Sequence, residues 1–329
     1  MIDFTRRKLF ATAAAASAAT ALAPLAAARA SMPPAGAQVP GYYRYKVGDY
    51  ELTAVMEGVR RFPLPDALVS NAKNEQVSLA LEEAYLPKDM MTITYSPVVV
   101  NTGKKLIVFD TGNGELGAKG TNGATGQFIK NFKAAGFDAA KVDTVVISHF
   151  HLDHVDGLLT LDNKPVFPNA EVMVPEVEWK FAMDDGNMAK ARKLDVDILF
   201  NRARHNFGVI KNPTPYQWGK EVAPGITAIG TPGHTPGHTS FAVQSGSGKL
   251  LIQTDVTNLS ALFVRHPDWH LLFDMDGALA EQTRRKFFDM AIAEKTPIQA
   301  FHHPFPGLGH VEKDGAGYRW VPEMWLPTI

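Results

Sequence analysis

Six consecutive residues, His149-Phe150-His151-Leu152-Asp153-His154, place three imidazoles and a carboxylate directly after the apolar, strand-like run Thr144-Val145-Val146-Ile147. Histidines two apart on an extended segment point to the same side, whereas Asp153 and His154 fall where a following helix would begin. The segment can therefore face two neighbouring ions rather than one. Imidazole and carboxylate donors without thiolate suit zinc, with iron or manganese as the other metals this donor set accepts.

The rest of a ligand set appears later in the chain, each member at the end of a strand-like run or in a tight turn. Thr231-Pro232-Gly233-His234-Thr235-Pro236-Gly237-His238 is a glycine-punctuated loop after the run Ile226 to Ile229. Asp255 closes the apolar run that starts at Leu250, and His302 follows Pro297-Ile298-Gln299-Ala300-Phe301. Groups at the carboxyl ends of several strands converge on one crevice, the usual position of a site in an α/β sheet fold. His302 and His303 are adjacent, and an extended chain sends neighbours to opposite sides, so one of the two serves as a ligand.

Together with Phe109-Asp110-Thr111-Gly112, these segments resemble the five motifs of the metallo-β-lactamase superfamily, from about residue 45 to the C-terminus. The resemblance implies an α/β fold, the four-layer αβ/βα sandwich. It implies a first metal on His149, His151 and His234, a second on Asp153, His154 and His302, and Asp255 bridging both. The family spacing selects His302 over His303. Asp110 would orient a ligand or the bridging water from behind, and His238 would lie behind the ligands or pack beside them. The stretch His303-Pro304-Phe305-Pro306-Gly307, with an export signal and this chain length, looks most like the branch containing methyl parathion hydrolase and related periplasmic lactonases. Relatives of this kind imply a homodimer.

Two divalent ions carry four positive charges, against one negative charge each from Asp153, Asp255 and a bridging hydroxide. The formal excess of one favours an anionic transition state. Metal coordination can lower the pKa of water from about 15.7 to about 7, which supplies a nucleophile at neutral pH. The expected reaction is hydrolysis by direct attack of water, with Asp153 and Asp255 as catalytic carboxylates. Lactones or aryl esters are the expected substrates, and phosphotriesters add to these, because attack at carbon and at phosphorus both place charge on an oxygen. β-Lactam or thioester hydrolysis would need a cation to grip a carboxylate, for which Arg60, Arg61 and Lys220 are the candidates. An iron-bearing redox protein is the alternative of another class, but the diiron flavin-linked relatives usually carry glutamate where His151 stands.

The chain has 329 residues, 33 Lys and Arg against 34 Asp and Glu, and a formal net charge of -1, a balance that argues against a nucleic-acid partner. It contains no cysteine, which excludes disulfides and a thiolate-ligated zinc. Thr5-Arg6-Arg7-Lys8-Leu9-Phe10, an alanine-rich stretch and Ala28-Arg29-Ala30 read as a twin-arginine signal over residues 1–30, which predicts a periplasmic protein. Residues 31–40 read as a flexible Pro/Gly/Ala linker, and 41–329 as a single hydrolase domain. No later apolar run reaches the roughly 18 residues that stable membrane insertion requires.

Within that domain, Tyr42 to Met56 reads as one hairpin, and Pro97 to Val100 with Leu106 to Phe109 as a second. Gln127 to Ala135 and Ala280 to Ala293 have helical spacing. Arg60 to Leu68 reads as a proline-punctuated loop, and Trp179 to Trp218 as a long insertion between the second and third motifs. Aromatic residues of these segments, Trp179 and Phe62, with Phe273, are expected to line a pocket for a small, neutral, apolar substrate.

Overall fold

Alternate residues of the first strand, Tyr43, Tyr45 and Val47, turn inward, the period that half-buries a strand. This is the first of two mixed sheets in the computed structural model of the protein, which describes residues 35–36 and 38–329. Residues 1–30, expected to be an export signal, and residues 31–34 and 37 of the expected linker lie outside the described residues. Residues Pro40–Ile329 form one unit.

The strands in chain order are β1 (Tyr42–Val47), β2 (Tyr50–Val55), β3 (Gly58–Pro63), β4 (Met90–Tyr95), β5 (Val98–Asn101), β6 (Leu106–Phe109), β7 (Thr144–Val146) and β8 (Glu171–Pro175). They continue with β9 (Thr214–Tyr216), β10 (Glu221–Ala223), β11 (Ile226–Gly230), β12 (Thr239–Ser245), β13 (Gly248–Thr254), β14 (Ile298–Ala300), β15 (Leu308–Asp314) and β16 (Gly317–Pro322). The first sheet has the order β1-β2-β5-β6-β7-β8-β9, and the second runs β10 to β16 in sequence. Each begins with three antiparallel pairings and then turns parallel, at β6–β7 in one and β13–β14 in the other.

Three apolar layers hold the sheets and helices together. Tyr45, Leu52, Val100 and Phe109 of the first sheet meet Ile226, Phe241, Val243 and Ile252 of the second. The outer face of the first sheet packs on Phe128, Phe132, Ala203 and Phe207 of three helices, Phe128–Ala134, Glu176–Met183 and Asn201–Ile210, the second of which gives Ala182. The outer face of the second sheet packs on Phe287, Phe288 and Ala291 of the helix Gly277–Ala293. Asp276 caps that helix by accepting the Leu279 N–H at 3.0 Å. The result is the αβ/βα sandwich, with side chains worth about 1.5–3 kcal/mol each when a Phe or Leu is fully buried.

The segment Arg60 to Leu68 is not a plain loop, because its first part belongs to β3, which pairs antiparallel with β4 so that Phe62 faces Met91. This ribbon stands apart from both sheets and packs on Leu68, Val77, Leu81, Phe263 and Phe301. The Trp179 to Trp218 segment is mostly helical, running through Asp185–Lys190, Lys193–Asp195, a π turn at Val196–Phe200 and Asn201–Ile210.

Candidate metal centre

The apolar strand β7 carries the chain to Ser148 and then out of the sheet, which leaves His149, His151 and the short helix Leu152–Val155 at its carboxyl end. His149 Nε2 lies 3.1 Å from His151 Nδ1, and His151 Nδ1 lies 2.9 Å from His234 Nε2. A tetrahedral ion with metal–nitrogen bonds of about 2.0–2.1 Å holds its nitrogens about 3.3 Å apart, close to what these three present. Beside them, Asp153, His154, Asp255 and His302 gather: His302 Nε2 is 2.9 Å from Asp255 Oδ2 and 3.5 Å from Asp153 Oδ2. His154 Nε2 is 3.2 Å from Asp255 Oδ1, and Asp255 Oδ2 is 3.3 Å from His234 Nε2. Asp255 thus touches both trios, and the ligand atoms of each group lie within 4.8 Å of one another.

Buried polar atoms are normally paired, yet His154 Nε2 and Asp255 Oδ1 are buried with no hydrogen-bond partner. Both face the space between the trios, and the donor set fits two divalent ions there. When bound, these ions lower the pKa of water and polarise a substrate carbonyl.

Four of the five imidazoles, those of His149, His154, His234 and His302, are held from behind, whereas His151 Nε2 is buried without a partner. Asp110 accepts the Ser148 N–H and Oγ–H at 2.8 Å and contacts His154 Nδ1 at 2.8 Å. Ser148 Oγ in turn lies 3.0 Å from His149 Nδ1. His234 Nδ1 meets Asp274 Oδ1 at 2.8 Å, and His302 Nδ1 donates to the Thr94 carbonyl at 2.9 Å. Such partners fix ring orientation and raise ligand basicity. Asp110 and Thr254, the residue before Asp255, both adopt positive φ, at 60° and 51°. Left-handed backbone of this kind in a non-glycine residue costs on the order of 1–3 kcal/mol and clusters at functional sites.

His238 sits behind the centre, with Nε2 2.8 Å from Thr254 Oγ1 and accepting the Asp255 N–H at 3.0 Å. His303 points the other way, to Thr257 Oγ1 at 3.0 Å and Gln253 Nε2 at 3.3 Å. Burial and the neighbouring His154 charge hold His149 well below the ordinary imidazole range, and burial with His234 does the same for His151, so both stay neutral and able to ligate. Burial pulls His234 down, but Asp255 and Asp274 win and raise it to about 9. A proton bound there stands where a cation belongs.

Four supporting groups carry no sequence motif. Asp274 is one, itself held by the fully buried Arg284 at 3.4 Å. Glu57 is a second, accepting the Asn113 N–H at 3.0 Å and the Gly126 N–H at 2.5 Å. Glu178 and the backbone of Thr94 are the others. For Asp274 the only signal in the sequence is a charged residue next to the apolar run Leu271-Leu272-Phe273, and the Thr94 carbonyl carries none.

A cleft of about 270 Å³ opens over the centre, with His151, Asp153, His234, Asp255 and His302 in its floor. Its wall is mainly apolar, with Phe62 and Ile93 from the ribbon, Leu194 and Ile198 from the insertion, and Phe273, and it also includes Arg60 and Asn258. Tyr95 completes it, with its ring 5.3 Å from that of His302. The expectation for Trp179 is overturned. Its ring packs edge-on against Phe207 at 5.4 Å and Phe150 at 6.5 Å, inside the helical core, because the helix Glu176–Met183 turns this face toward the first sheet. Of the three cations considered, Arg60 reaches the cleft and Arg61 and Lys220 do not.

Fold and site together define a metal-binding αβ/βα sandwich with its ligands at the strand ends of two facing sheets. Residues 94–302 match the metallo-beta-lactamase superfamily, and the chain belongs to it. It is 32% identical over 126 residues to the N-acyl homoserine lactonase AttM of Agrobacterium fabrum, a match spanning 38% of this chain and 45% of that protein. Against an N-acyl homoserine lactonase of Bacillus sp it is 25% identical over 233 residues, 66% of this chain and 84% of the relative. Among solved structures, AidC, a dizinc quorum-quenching lactonase in complex with a product, superposes with a TM-score of 0.80 at 26% identity, over 87% of this chain and 98% of that one. The hydrolase AbOPH gives 0.78 at 29% identity, over 88% and 100%.

Proposed function

We propose that this protein hydrolyses lactones, using two zinc ions held by His149, His151, Asp153, His154, His234, Asp255 and His302. The observation that carries the reading is the paired ligand cluster under an apolar wall: a floor that binds cations beneath a cleft that favours a neutral, apolar ring. The lactonase relatives support it. Asp255 joins the two trios, since it reaches His234 of the first through Oδ2 and His154 and His302 of the second through Oδ1 and Oδ2. Asp153 is the most open carboxylate of the floor, with its side chain 17% exposed, and is placed to accept a proton from attacking water and return it to the leaving alkoxide. Tyr95, pushed above the usual phenol range by burial, stays a hydrogen-bond donor at the wall. Aryl esters and phosphotriesters are secondary substrates of the same site, because both develop charge on an oxygen over the same floor.

Arg6 and Arg7 support placing the activity in the periplasm; an Arg6→Lys, Arg7→Lys double variant retained in the cytoplasm is the expected result of fractionation. The main test is one panel on one preparation: an aryl lactone, an acyl-homoserine lactone, a dialkyl aryl phosphotriester and a β-lactam, with and without chelator, alongside metal content. Lactone cleavage with about two zinc ions per chain, lost on chelation, is expected. A β-lactam as the best substrate would sink the reading and direct attention to Arg60.

A further inference from the structure

We propose that Glu178 is a positioning residue for the first metal trio, a buried carboxylate clamp that fixes the distance between the His149–His151 segment and the His234 turn. Glu178 is fully buried on the helix Glu176–Met183 and forms no ion pair among the described residues. One oxygen accepts the Phe150 N–H at 3.2 Å and the other accepts the Gly237 N–H at 2.7 Å. Phe150 lies between His149 and His151, and Gly237 lies in the turn that carries His234, so one side chain joins ligand segments from the two halves of the sandwich.

A carboxylate buried without a cation is unfavourable unless hydrogen-bond donors satisfy it, and here the Phe150 and Gly237 N–H groups do so, with the Thr235 hydroxyl beside them. The turn also rests directly on the helix. A Cβ at Gly237 would stand 2.2 Å from Glu178 N and 2.5 Å from its Cα, so glycine alone allows this approach. The three nitrogens of the trio, at 3.1 and 2.9 Å, come from both clamped segments. Loosening either arm therefore spreads the first trio, while His302, on a separate segment, keeps its own support from the Thr94 carbonyl.

The inference rests on the two-metal reading, but its test reads zinc binding and not turnover. In a His302→Ala background, which weakens the second trio, apo protein is titrated with zinc against a competing chelator, and its melting midpoint is measured without metal. Glu178→Gln keeps the volume but puts an amide NH2 against one of the two N–H donors. Gly237→Ala keeps the carboxylate but displaces the turn. Both are expected to lower zinc affinity about 10–100-fold, the range found when groups behind metal ligands are removed. The apo midpoint of Glu178→Gln is expected to move by no more than about 4 °C, and that of Gly237→Ala to fall further because its added Cβ meets the helix backbone. Unchanged zinc affinity in Glu178→Gln, or failure of both variants to fold, would overturn the proposal, since Glu178 would then serve the fold and not the trio. Zinc affinity that falls as expected, while the protein with His302 intact is inactive on every lactone, would keep the clamp and remove the substrate assignment.

Discussion

On the floor of the cleft, His154 is backed by Asp110, His234 by Asp274, and His302 by a backbone carbonyl, so each ring is fixed before anything binds. On the wall, Phe62, Ile93, Leu194, Ile198 and Phe273 are placed by packing alone, and they come from the ribbon, the insertion and the loop before Asp274. The floor is a hydrogen-bonded lattice in which removing one member leaves buried polar groups unpaired. The wall is a set of apolar surfaces that can exchange volume with modest cost. On the proposed function, chemistry belongs to the first region and choice of substrate to the second, and the two should respond differently to substitution.

The sharpest break is Asp255→Ala. It removes the one carboxylate that touches both trios, and turnover is expected to fall by more than ~10²-fold, with metal content dropping well below two per chain. His302→Ala should approach that loss, whereas His303→Ala, whose ring faces Thr257 and Gln253, should act mainly on the melting midpoint. Equal activity losses at the two positions would show the wrong histidine has been assigned to the floor.

Asp274→Asn tests the lattice one layer back. Zinc affinity is expected to fall about 10–100-fold, and stability with it, because Arg284 loses its buried carboxylate. An affinity equal to the unaltered protein would mean that the group behind His234 contributes nothing to binding.

Wall substitutions should redistribute activity and leave metal content untouched. Phe62→Ala and Phe273→Ala are each expected to change the ratio of kcat/KM for long-chain and short-chain lactones by about 10-fold, the scale of one apolar contact. Trp179→Phe lies off the cleft and should lower the melting midpoint with that ratio unchanged. A changed ratio in Trp179→Phe would return this residue to the wall.

The smallest effect lies beneath the floor. Burial pushes Glu57 up to about 8 against the pull of its Gly126 and Asn113 donors. Between the ordinary carboxylate range and that value, the folded protein keeps a proton that the unfolded chain has released, so stability falls as pH rises through this window. Urea midpoints measured at about pH 5 and about pH 8 should therefore differ less in Glu57→Gln than in the unaltered protein. An equal difference in both would place the slope elsewhere.

The floor was legible because its chemistry is local. His149 to His154 is one contiguous segment, and His234, Asp255 and His302 each end an apolar run, so residue type and strand periodicity together mark them. The same periodicity marks β1, β2, β5 and β6 and the helices at 128–134 and 277–293. Trp179 shows where this stops, since an aromatic side chain at helical spacing suits a pocket and a core equally. Arg60 to Leu68 shows it again: prolines mark a turn, but nothing nearby in the chain shows that Gly58–Pro63 pairs with Met90–Tyr95.

By itself, then, the sequence marked the candidate donors, because they depend on the identity of residues and their spacing along one strand, while the sandwich and the division of ligands between two metals came from the resemblance to a family that those motifs carry. Only the tertiary structure decided which carboxylates stand behind the ligands and which apolar side chains face the cleft. Asp274, Glu57 and Glu178 reach partners far away in the chain, and their hydrogen bonds depend on how elements pack, a long-range relation that no local pattern encodes.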